Sequence, residues 1–247
     1  MKAFATLLGV ELKLSLRDMN MPIFALAMPA VVMVIIGIVF GSQPAFEGAP
    51  YSFVDQSVSA VAAIAVCAGG FMGLPIMIAS SRRRKVFKRF FVTPVGVGMI
   101  LGVQLTVYTI YATVSALLVF GIAQIFFGAH LSGSVLLFAV SFVLVMGAIF
   151  GIGLLVGGVT ANERQANLAA TLLYFPMLLL SGVTIPYETL PKAVQMASDL
   201  LPLTQGVKLL KATSLGLPLE QAAIPALILA AWAVVCLLLA GKLFKWE

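Results

Sequence analysis

The chain has very little charge and a single histidine. Charged residues make up 10% of its 247 residues, and His130 is the one histidine. Soluble domains carry about 25% charged residues, so this chain has too few charges to solvate a globular surface. One histidine with no carboxylate beside it provides neither a nucleophilic triad nor a general acid–base pair. We therefore expect no catalytic residues in this chain.

The sequence also lacks the patterns that hold metals and nucleotides. Its two cysteines, Cys67 and Cys236, lie far apart inside apolar runs, without a spacing typical of a metal site or a disulfide framework. The G-x-x-x-x-G-K-[ST] pattern that cradles phosphates is absent. We expect no metal site and no cofactor bound by this chain.

Apolar residues, in contrast, are abundant. They make up 62% of the chain, and the mean hydropathy is +1.12, whereas soluble domains contain about 45–50% apolar residues. This composition predicts an all-α membrane protein in which residues 1–247 form one transmembrane domain. Six spans are expected at residues 21–40, 57–79, 98–127, 134–159, 168–185 and 221–241, since a bilayer requires about 20 apolar residues.

The first 20 residues are too charged to span and predict a helix that lies in the membrane interface. Lys2, Thr6, Lys13 and Arg17 form one polar stripe of this helix. Glu11 falls on the apolar side, so it either pairs with a base from elsewhere or indicates that this face packs on protein. The order of charges does not resemble a cleavable signal peptide, and we expect the first span to be an uncleaved anchor.

Basic residues are distributed unevenly between the loops. If both termini lie inside, twelve of the fifteen Lys and Arg residues are on the inner side, and only Lys192, Lys208 and Lys211 are outside. This distribution follows the positive-inside rule, so we predict a multi-pass protein of the cell membrane with cytoplasmic N- and C-termini. The rule explains the net charge of +6 without a nucleic-acid partner.

Residues 186–219 are interrupted by prolines and carry several charges, so they cannot form a span. They predict external re-entrant or surface helices at residues 190–200 and 204–215. The spans themselves carry no charged residue at mid-depth, which disfavours an ion-coupled carrier. Gly147/Gly151 and Gly153/Gly157 are spaced as small-xxx-small motifs, which predict close helix packing.

Six basic residues are concentrated in the segment 81–94, SRRRKVFKRFFVTP. Read as one helix, this segment places Phe87, Phe90 and Phe91 on one face. Thr93-Pro94 then ends the helix, because proline disfavours a helical conformation in the residue before it. The pattern predicts a short cationic helix with an aromatic face at the inner membrane surface.

Three stretches of the chain resemble the permease subunits of ABC-2-type exporters, a family that includes bacterial drug-resistance and polysaccharide-export permeases. They are ELKLSLRD at residues 11–18, KRFFVTP at residues 88–94, and LLLSGVTIPYETLPKAVQMASDLLPLTQGVKLLKATSLG at residues 178–216. In the last stretch, the family signature of an apolar run, SG-x-x-x-P-x-x-x-x-P and a later LP is matched by Ser181, Gly182, Pro186, Pro191, Leu201 and Pro202.

This resemblance implies a separate ATP-binding subunit that carries ATP and Mg²⁺, and a second permease copy in a homodimer or heterodimer. The segment 81–94 would be a cytoplasmic coupling helix, whose partner contacts would be Arg82, Arg84, Phe87, Lys88, Phe90 and Phe91. The second and fifth spans would line the substrate pathway, with Phe71, Met72, Tyr174, Phe175 and Met177 as candidates. The expected cargo is a lipophilic drug-like or lipid-linked molecule that is exported.

Three alternatives stay open at this point. The basic segment could be only a topological anchor that binds anionic lipid, since lipid attraction needs charge alone. Each pathway candidate taken singly is also explained by plain helix packing. The whole chain could be a membrane channel or scaffold that needs no ATPase.

Overall fold

The computed structural model describes residues 2–18, 22–41, 43–45, 49–87, 96–182, 187 and 190–243. In these ranges all regular elements are helices, and no strand is present. The helices are α1 (Lys2–Arg17), α2 (Ile23–Phe40), α3 (Phe53–Arg83), α4 (Val97–Phe127), α5 (Val135–Val159), α6 (Glu163–Leu180), α7 (Lys192–Ser198), α8 (Pro202–Leu215) and α9 (Leu219–Leu243). This confirms the prediction of an all-helical membrane protein.

Within the described ranges, five helices are long and apolar enough to cross a membrane, namely α2, α3, α4, α5 and α9. The sixth predicted span, at residues 168–185, corresponds to α6. This helix has 18 residues and opens with the polar sequence Glu163-Arg164-Gln165, so its apolar part is shorter than the roughly 20 residues that a bilayer requires. The structure therefore supports five spans, and the sixth stays a prediction.

Helix α3 is the centre of the bundle. In its most apolar stretch 78% of the residues are buried, compared with 17–28% in α2, α4 and α9. It packs against α2, α4, α5, α6 and α8. Its residues Ala68–Gly73 form π-helical turns, in which each turn holds more residues than in an α-helix.

The start of α3 lies earlier than the predicted residue 57. Ser52 and Asp55 form a capping box, in which the Asp55 N–H donates to Ser52 Oγ at 3.1 Å and the Ser52 N–H donates to Asp55 Oδ2 at 2.8 Å. Such a box satisfies backbone donors that have no partner in the first helical turn. The S-x-x-D pattern at Ser52–Asp55 is visible in the sequence and could have located this boundary.

Helices α3 and α5 approach closely at two glycines of α5. A Cβ atom at Gly153 would lie 2.0 Å from the Gly70 carbonyl oxygen, and one at Gly157 would lie 2.8 Å from Ile78 Cδ1. The prediction of close packing is thus confirmed for Gly153/Gly157. It was wrong for Gly147, where a Cβ would meet nothing within 4 Å.

Helix α1 lies along the first half of α4. Phe4 lies beside Gly102, Gln104 Nε2 donates to Glu11 Oε2 at 2.8 Å, and Ser15 Oγ donates to the Tyr111 hydroxyl oxygen at 3.0 Å. The contacting residues follow in the same order along both helices, so α1 and α4 run in the same direction. Of the two alternatives for Glu11, the structure supports the second, because this face of α1 packs on protein.

The bundle has two chemically different ends. We call the end with Arg82–Lys85 and the turn 160–162 the basic end, and the end with α7 and α8 the distal end. The two distal helices, predicted at 190–200 and 204–215, are observed at Lys192–Ser198 and Pro202–Leu215. Helix α8 is buried along almost its whole length against α3, α5 and α9, so it does not lie on the surface of the bundle.

Candidate functional site

The predicted continuous helix at residues 81–94 is not observed. Ser81–Arg83 form the last turn of α3, Arg84 and Lys85 form a turn, and helical geometry resumes at Val86. Lys85 has a φ of +56°, a left-handed conformation that cannot continue a right-handed helix. The prediction of one uninterrupted helix was therefore wrong at its first half. Lys88, Phe90, Phe91 and Thr93-Pro94 lie outside the described residues.

Arg82 closes the C-terminal end of a neighbouring helix. Its guanidinium donates to the carbonyl oxygens of Thr160, Gly157 and Gly158, where α5 ends. The last carbonyl groups of a helix lack partners in the helix and carry partial negative charge. Arg82 therefore serves as a C-terminal cap that joins α3 to α5, a role that the sequence did not predict.

The next three residues differ from Arg82 in their exposure. Arg83 Nε lies 3.3 Å from Glu163 Oε1 at the start of α6, and Arg83, Arg84 and Lys85 are all exposed. The turn after α3 thus presents cationic groups at the basic end. Beneath them, α3 is tied to α5 through Arg82 and to α6 through Arg83.

Phe87 is buried inside the protein. Its side chain is 1% exposed and packs in a cluster with Ile78, Val97 and Ile100. In this conformation its ring is closed off from any partner protein. Of the proposed aromatic anchors, Phe87 is the one that the structure describes, and here it fastens the turn after α3 to the start of α4.

A cavity of about 780 Å³ opens at the distal end. Its walls come from the C-terminal end of α2, the first turns of α3, α8, the start of α9 and the turn after α6. Two rings, Phe40 and Phe53, stack at 4.1 Å between centroids in the apolar part of the wall. The charged lining residues among those described are Asp199, Lys208, Lys211 and Glu220.

One polar cluster forms part of this wall. Asp199 Oδ1 accepts from Lys208 Nζ and, at 2.8 Å, from the Tyr187 hydroxyl group, and Lys208 Nζ lies 3.9 Å from the centroid of the Tyr187 ring. Burial lowers the pKa of Lys208, but its hydrogen bonds to Asp199 and Tyr187 outweigh burial and raise the pKa overall. Burial is also the largest cause that raises the pKa of Tyr187.

The residues of the family signature determine where distal elements end and begin. Ser181 is buried and donates from Oγ to the Leu178 carbonyl oxygen at 3.1 Å, and Gly182 has a φ of +82° that ends α6. Pro191 precedes α7, and Pro202 is the first residue of α8, where a proline costs no helical hydrogen bond. Ser181 and Gly182 also line the cavity. Pro186 lies outside the described residues.

The five substrate-pathway candidates occupy different environments. Phe71 and Met177 are buried in the core of the chain, Met72 and Tyr174 are half-buried, and Phe175 is 53% exposed. The Tyr174 and Phe175 rings meet edge to face, with centroids 5.4 Å apart. The structure therefore does not bring all five to one surface of the single chain, and none of them lines the distal cavity.

Sequence reasoning missed the cavity and the Arg82 cap. Both depend on residues far apart in the chain, since Arg82 contacts Gly157 and the cavity wall combines residues from Ile36 to Pro225. The sequence did contain one local clue, since Lys208 and Lys211 are three residues apart on a helix and thus share a face. In the part of the chain that the structure describes, no group of His, Cys, Asp or Glu could hold a metal ion.

A bundle of apolar helices whose charged groups lie at its ends defines an integral membrane protein. The sequence profile of the ABC-2 type transporter family matches residues 2–215, so the chain belongs to that family, the membrane component of ABC transporters. Members of this family are membrane transport subunits that are not themselves catalytic and normally pair with an ATP-binding subunit. Helix α9 lies beyond the matched range.

One similar protein is Nodulation protein J of Rhizobium leguminosarum bv. viciae. It is 30% identical to this chain over 111 residues, which are 44% of this chain and 43% of that protein. The match covers less than half the length of the relative.

Proposed function

We propose that this chain is the permease subunit of an ATP-driven exporter, which moves a lipophilic drug-like or lipid-linked molecule out of the cell. ATP and Mg²⁺ would be bound by a separate ATP-binding subunit. The observation that carries this proposal is membership of the ABC-2 type transporter family over residues 2–215. The spans carry no charged residue at mid-depth, which supports an apolar cargo and disfavours coupling to an ion gradient.

The docking surface for the ATP-binding subunit would be at the basic end. Arg83, Arg84 and Lys85 are exposed in the turn after α3, and residues 88–95 follow directly in the chain. Exposed cations of this kind steer an acidic partner surface. Since Phe87 is buried, the aromatic contribution would have to come from Phe90 and Phe91.

A force applied to this turn would reach the centre of the molecule directly. The turn follows α3, the most buried of the five candidate spans, and Arg82 and Arg83 tie the end of α3 to α5 and α6. Because packed helices move as units with small shifts, displacement of the turn would move α3 together with the ends of α5 and α6. This supports a coupling role over that of a lipid anchor.

The basic end would face the cytoplasm, and the distal end would face outwards. The inner loops would then hold most of the Lys and Arg residues, as positive-inside topology requires. Both termini would be cytoplasmic, and the protein would be located in the cell membrane.

The proposed exporter contains two permease copies. Helix α6 presents a row of exposed apolar side chains at Leu168, Leu172, Phe175 and Leu179. This spacing of four, three and four residues forms one helix face, as in a helix–helix seam. Phe175 would then lie between the copies, where it could contact cargo, and Met72 and Tyr174 would need a change in packing to do so.

Co-purification of this chain from cells that also express its neighbouring genes tests the proposal, because an ATP-binding subunit should be among the proteins recovered. We expect a detergent-stable complex, and an Arg84→Glu/Lys85→Glu variant should recover about tenfold less ATPase, because two favourable charges become repulsive. Lys192→Glu, which changes a charge at the distal end, is the matched control and should leave recovery unchanged. Equal recovery with the double variant would favour the lipid-anchor alternative, and no ATPase in any preparation would favour the channel or scaffold.

A further inference from the structure

Helix α3 consists of two halves that pack on different neighbours. We call residues 53–67 its distal half and residues 74–83 its basic half. The distal half packs mainly on α2, α4 and α8, whereas the basic half packs on α5 and α6. The π-helical segment Ala68–Gly73 joins the two halves and lies where the neighbours change. One continuous helix is therefore shared between two groups of helices.

The joining segment has the backbone features at which helices bend. Its sequence, AGGFMG, contains three glycines, which give the backbone extra freedom. The Leu74 N–H donates to the Gly69 carbonyl oxygen, five residues earlier, as in a π-helix. Pro75 follows and has no N–H to donate to the Phe71 carbonyl oxygen. Proline and π-type turns are known causes of helix kinks, and here they occur together with the glycines in residues 68–75.

The glycines bring this segment into close contact with the helices on both sides. A Cβ at Gly73 would lie 2.6 Å from Tyr108 Cε1 of α4, and one at Gly70 would lie 2.5 Å from Ile149 Cγ2 of α5. These contacts hold the segment in place between α4 and α5. Because neither glycine carries a side chain that interlocks with the neighbouring helix, the backbone can still rotate against both.

A second π-helical segment lies beside the first. Ile23–Ala27, at the start of α2, is π-helical and contacts Ala68–Gly73. Its Ala25 packs on Val107 and Tyr111, in the stretch of α4 that also contacts the first segment. π-type turns are rare and occur frequently at functional sites. Two of them in contact at one level of the bundle independently mark this level as one where helices change direction.

We propose that Ala68–Gly73 is a hinge, at which the basic half of α3 changes its angle relative to the distal half. The basic half moves with the ends of α5 and α6, to which Arg82 and Arg83 tie it, while the distal half stays with α2 and α4. Phe87 and Ile78 share a cluster with the start of α4, which limits the movement to the small shifts that packed helices allow.

In the proposed exporter, displacement of the turn after α3 would bend the helix at this hinge. That use rests on the proposed function, whereas the hinge itself is a property of this chain and is tested without an ATP-binding subunit.

Hydrogen exchange of the purified full-length chain, resolved to single amides, tests the hinge. Ala68–Phe71 are buried in the centre of the bundle, so burial alone predicts slow exchange. We expect the amides of residues 68–74 to exchange at least about tenfold faster than those of residues 58–66 and 76–80, because local opening occurs where the backbone is least stable. Equal protection along the whole of α3 would overturn the hinge.

The variant Gly69→Ala stiffens the segment without a clash. Its Cβ would lie 3.4 Å from Tyr108, an ordinary contact distance, and alanine is the better helix former. We expect exchange of residues 68–74 to slow about fivefold. Gly121→Ala in α4 is the matched control, because a Cβ there meets nothing within 4 Å, and it should leave this exchange unchanged. No effect of Gly69→Ala, or an equal effect of Gly121→Ala, would contradict the hinge.

Distances between spin labels show whether the two halves move. Arg164→Cys at the start of α6 and Leu117→Cys on α4 form a pair across the hinge, and Leu117→Cys with Ile35→Cys on α2 forms a control pair within the distal group. All three positions are exposed, and the two native cysteines are buried. The labelled chain is diluted with unlabelled chain, so that only distances within one copy are measured.

We expect electron–electron resonance to give a broad distance distribution for the pair across the hinge and a narrow one for the control pair. Gly69→Ala should narrow the first distribution and leave the second unchanged. Equal widths for the two pairs would overturn the hinge. Failure to recover an ATP-binding subunit by co-purification would instead contradict the exporter and leave the hinge standing.

Discussion

At the scale of single residues, Arg82 has the most defined role at the basic end. Its guanidinium extends from the last turn of α3 to three carbonyl oxygens at the end of α5. A planar guanidinium can bridge several acceptors at once, which a lysine ammonium does less well. The charge also lies where the partial negative charge of the α5 C-terminus is greatest. Arg82 therefore stabilises the arrangement of α3 and α5.

We predict that Arg82→Ala lowers the midpoint of thermal unfolding by about 5 °C, since loss of about 2 kcal/mol corresponds to a shift of that size in a chain of this length. Arg82→Lys should restore part of the loss. The measurement is thermal unfolding of the purified protein in detergent. Arg84→Ala is the control because Arg84 is exposed, and equal midpoints for Arg82→Ala and Arg84→Ala would contradict the capping role.

The cluster of Tyr187, Asp199 and Lys208 predicts a loss of stability at high pH. The pKa of Lys208 and that of Tyr187 are both raised in the folded protein. Their contribution is therefore complete below the ordinary values of about 10 and is lost as the pH rises through the raised values.

Thermal unfolding between pH 8 and pH 12 checks this prediction. The wild type should lose its stability advantage over Lys208→Gln as the pH rises above about 10.5, where the ordinary pKa of lysine lies. Lys192→Gln should keep a constant difference from the wild type across the range. A constant difference for Lys208→Gln would contradict the prediction.

At the scale of elements, the close packing of α3 against α5 leaves no room for a side chain at two glycines of α5. Gly153 lies against the backbone of Gly70, and Gly157 against Ile78 and Pro75. Backbone atoms of a helix cannot move aside as a flexible side chain does, so an added methyl group must separate the two helices. Small residues at such contacts allow membrane helices to approach closely.

We predict that Gly153→Ala destabilises the protein by about 3 kcal/mol, because overpacking a dense core costs about 1–3 kcal/mol and the clash here is with backbone. Gly147→Ala is the matched control on the same helix. It should be neutral or stabilising by up to about 1 kcal/mol, since alanine is the better helix former and the position has free space. Denaturation in detergent measures both, and a similar loss for the two variants would contradict the packing argument.

The elements that sequence predicted well are those whose apolar runs are long and uniform. The boundaries of α4, α5 and α9 agree with the predicted spans within two residues, because a bilayer-length apolar run leaves few alternatives. In the segment 81–94, the prediction of a helix that continues through Lys85 was wrong, since the helical pattern of the phenylalanines says nothing about the left-handed conformation there. The capping contact of Arg82 pairs residues more than 70 positions apart, which periodicity within one segment cannot reveal.

At the scale of the whole molecule, charge is separated along the bundle axis. The exposed cations Arg83, Arg84 and Lys85 lie at the basic end, whereas the distal end mixes lysines with carboxylates around the cavity. The sequence predicted this separation through the loop charges. It could not predict the cavity, because residues from α2, α3, α8 and α9 form its walls only after the chain has folded.

Accessibility labelling of single cysteines tests the orientation of the whole molecule. We expect Lys192→Cys to react with a membrane-impermeant maleimide in intact cells and Arg84→Cys to react only after the membrane is permeabilised, because positive-inside topology places the basic end in the cytoplasm. The native Cys67 and Cys236 are buried, so the parent protein is the background control. The reverse pattern would place the basic end outside and exclude docking of a cytoplasmic ATPase.

The π-helical turns at Ala68–Gly73 also affect how relatives should be compared with this chain. A π-type turn accommodates an extra residue without shifting the helix on either side. A relative with one residue fewer here can therefore form a regular α-helix and still keep both ends of α3 in register with their neighbours. Alignments of the family should place single-residue gaps within residues 68–73, and a gap elsewhere in α3 would rotate half of the helix away from its contacts.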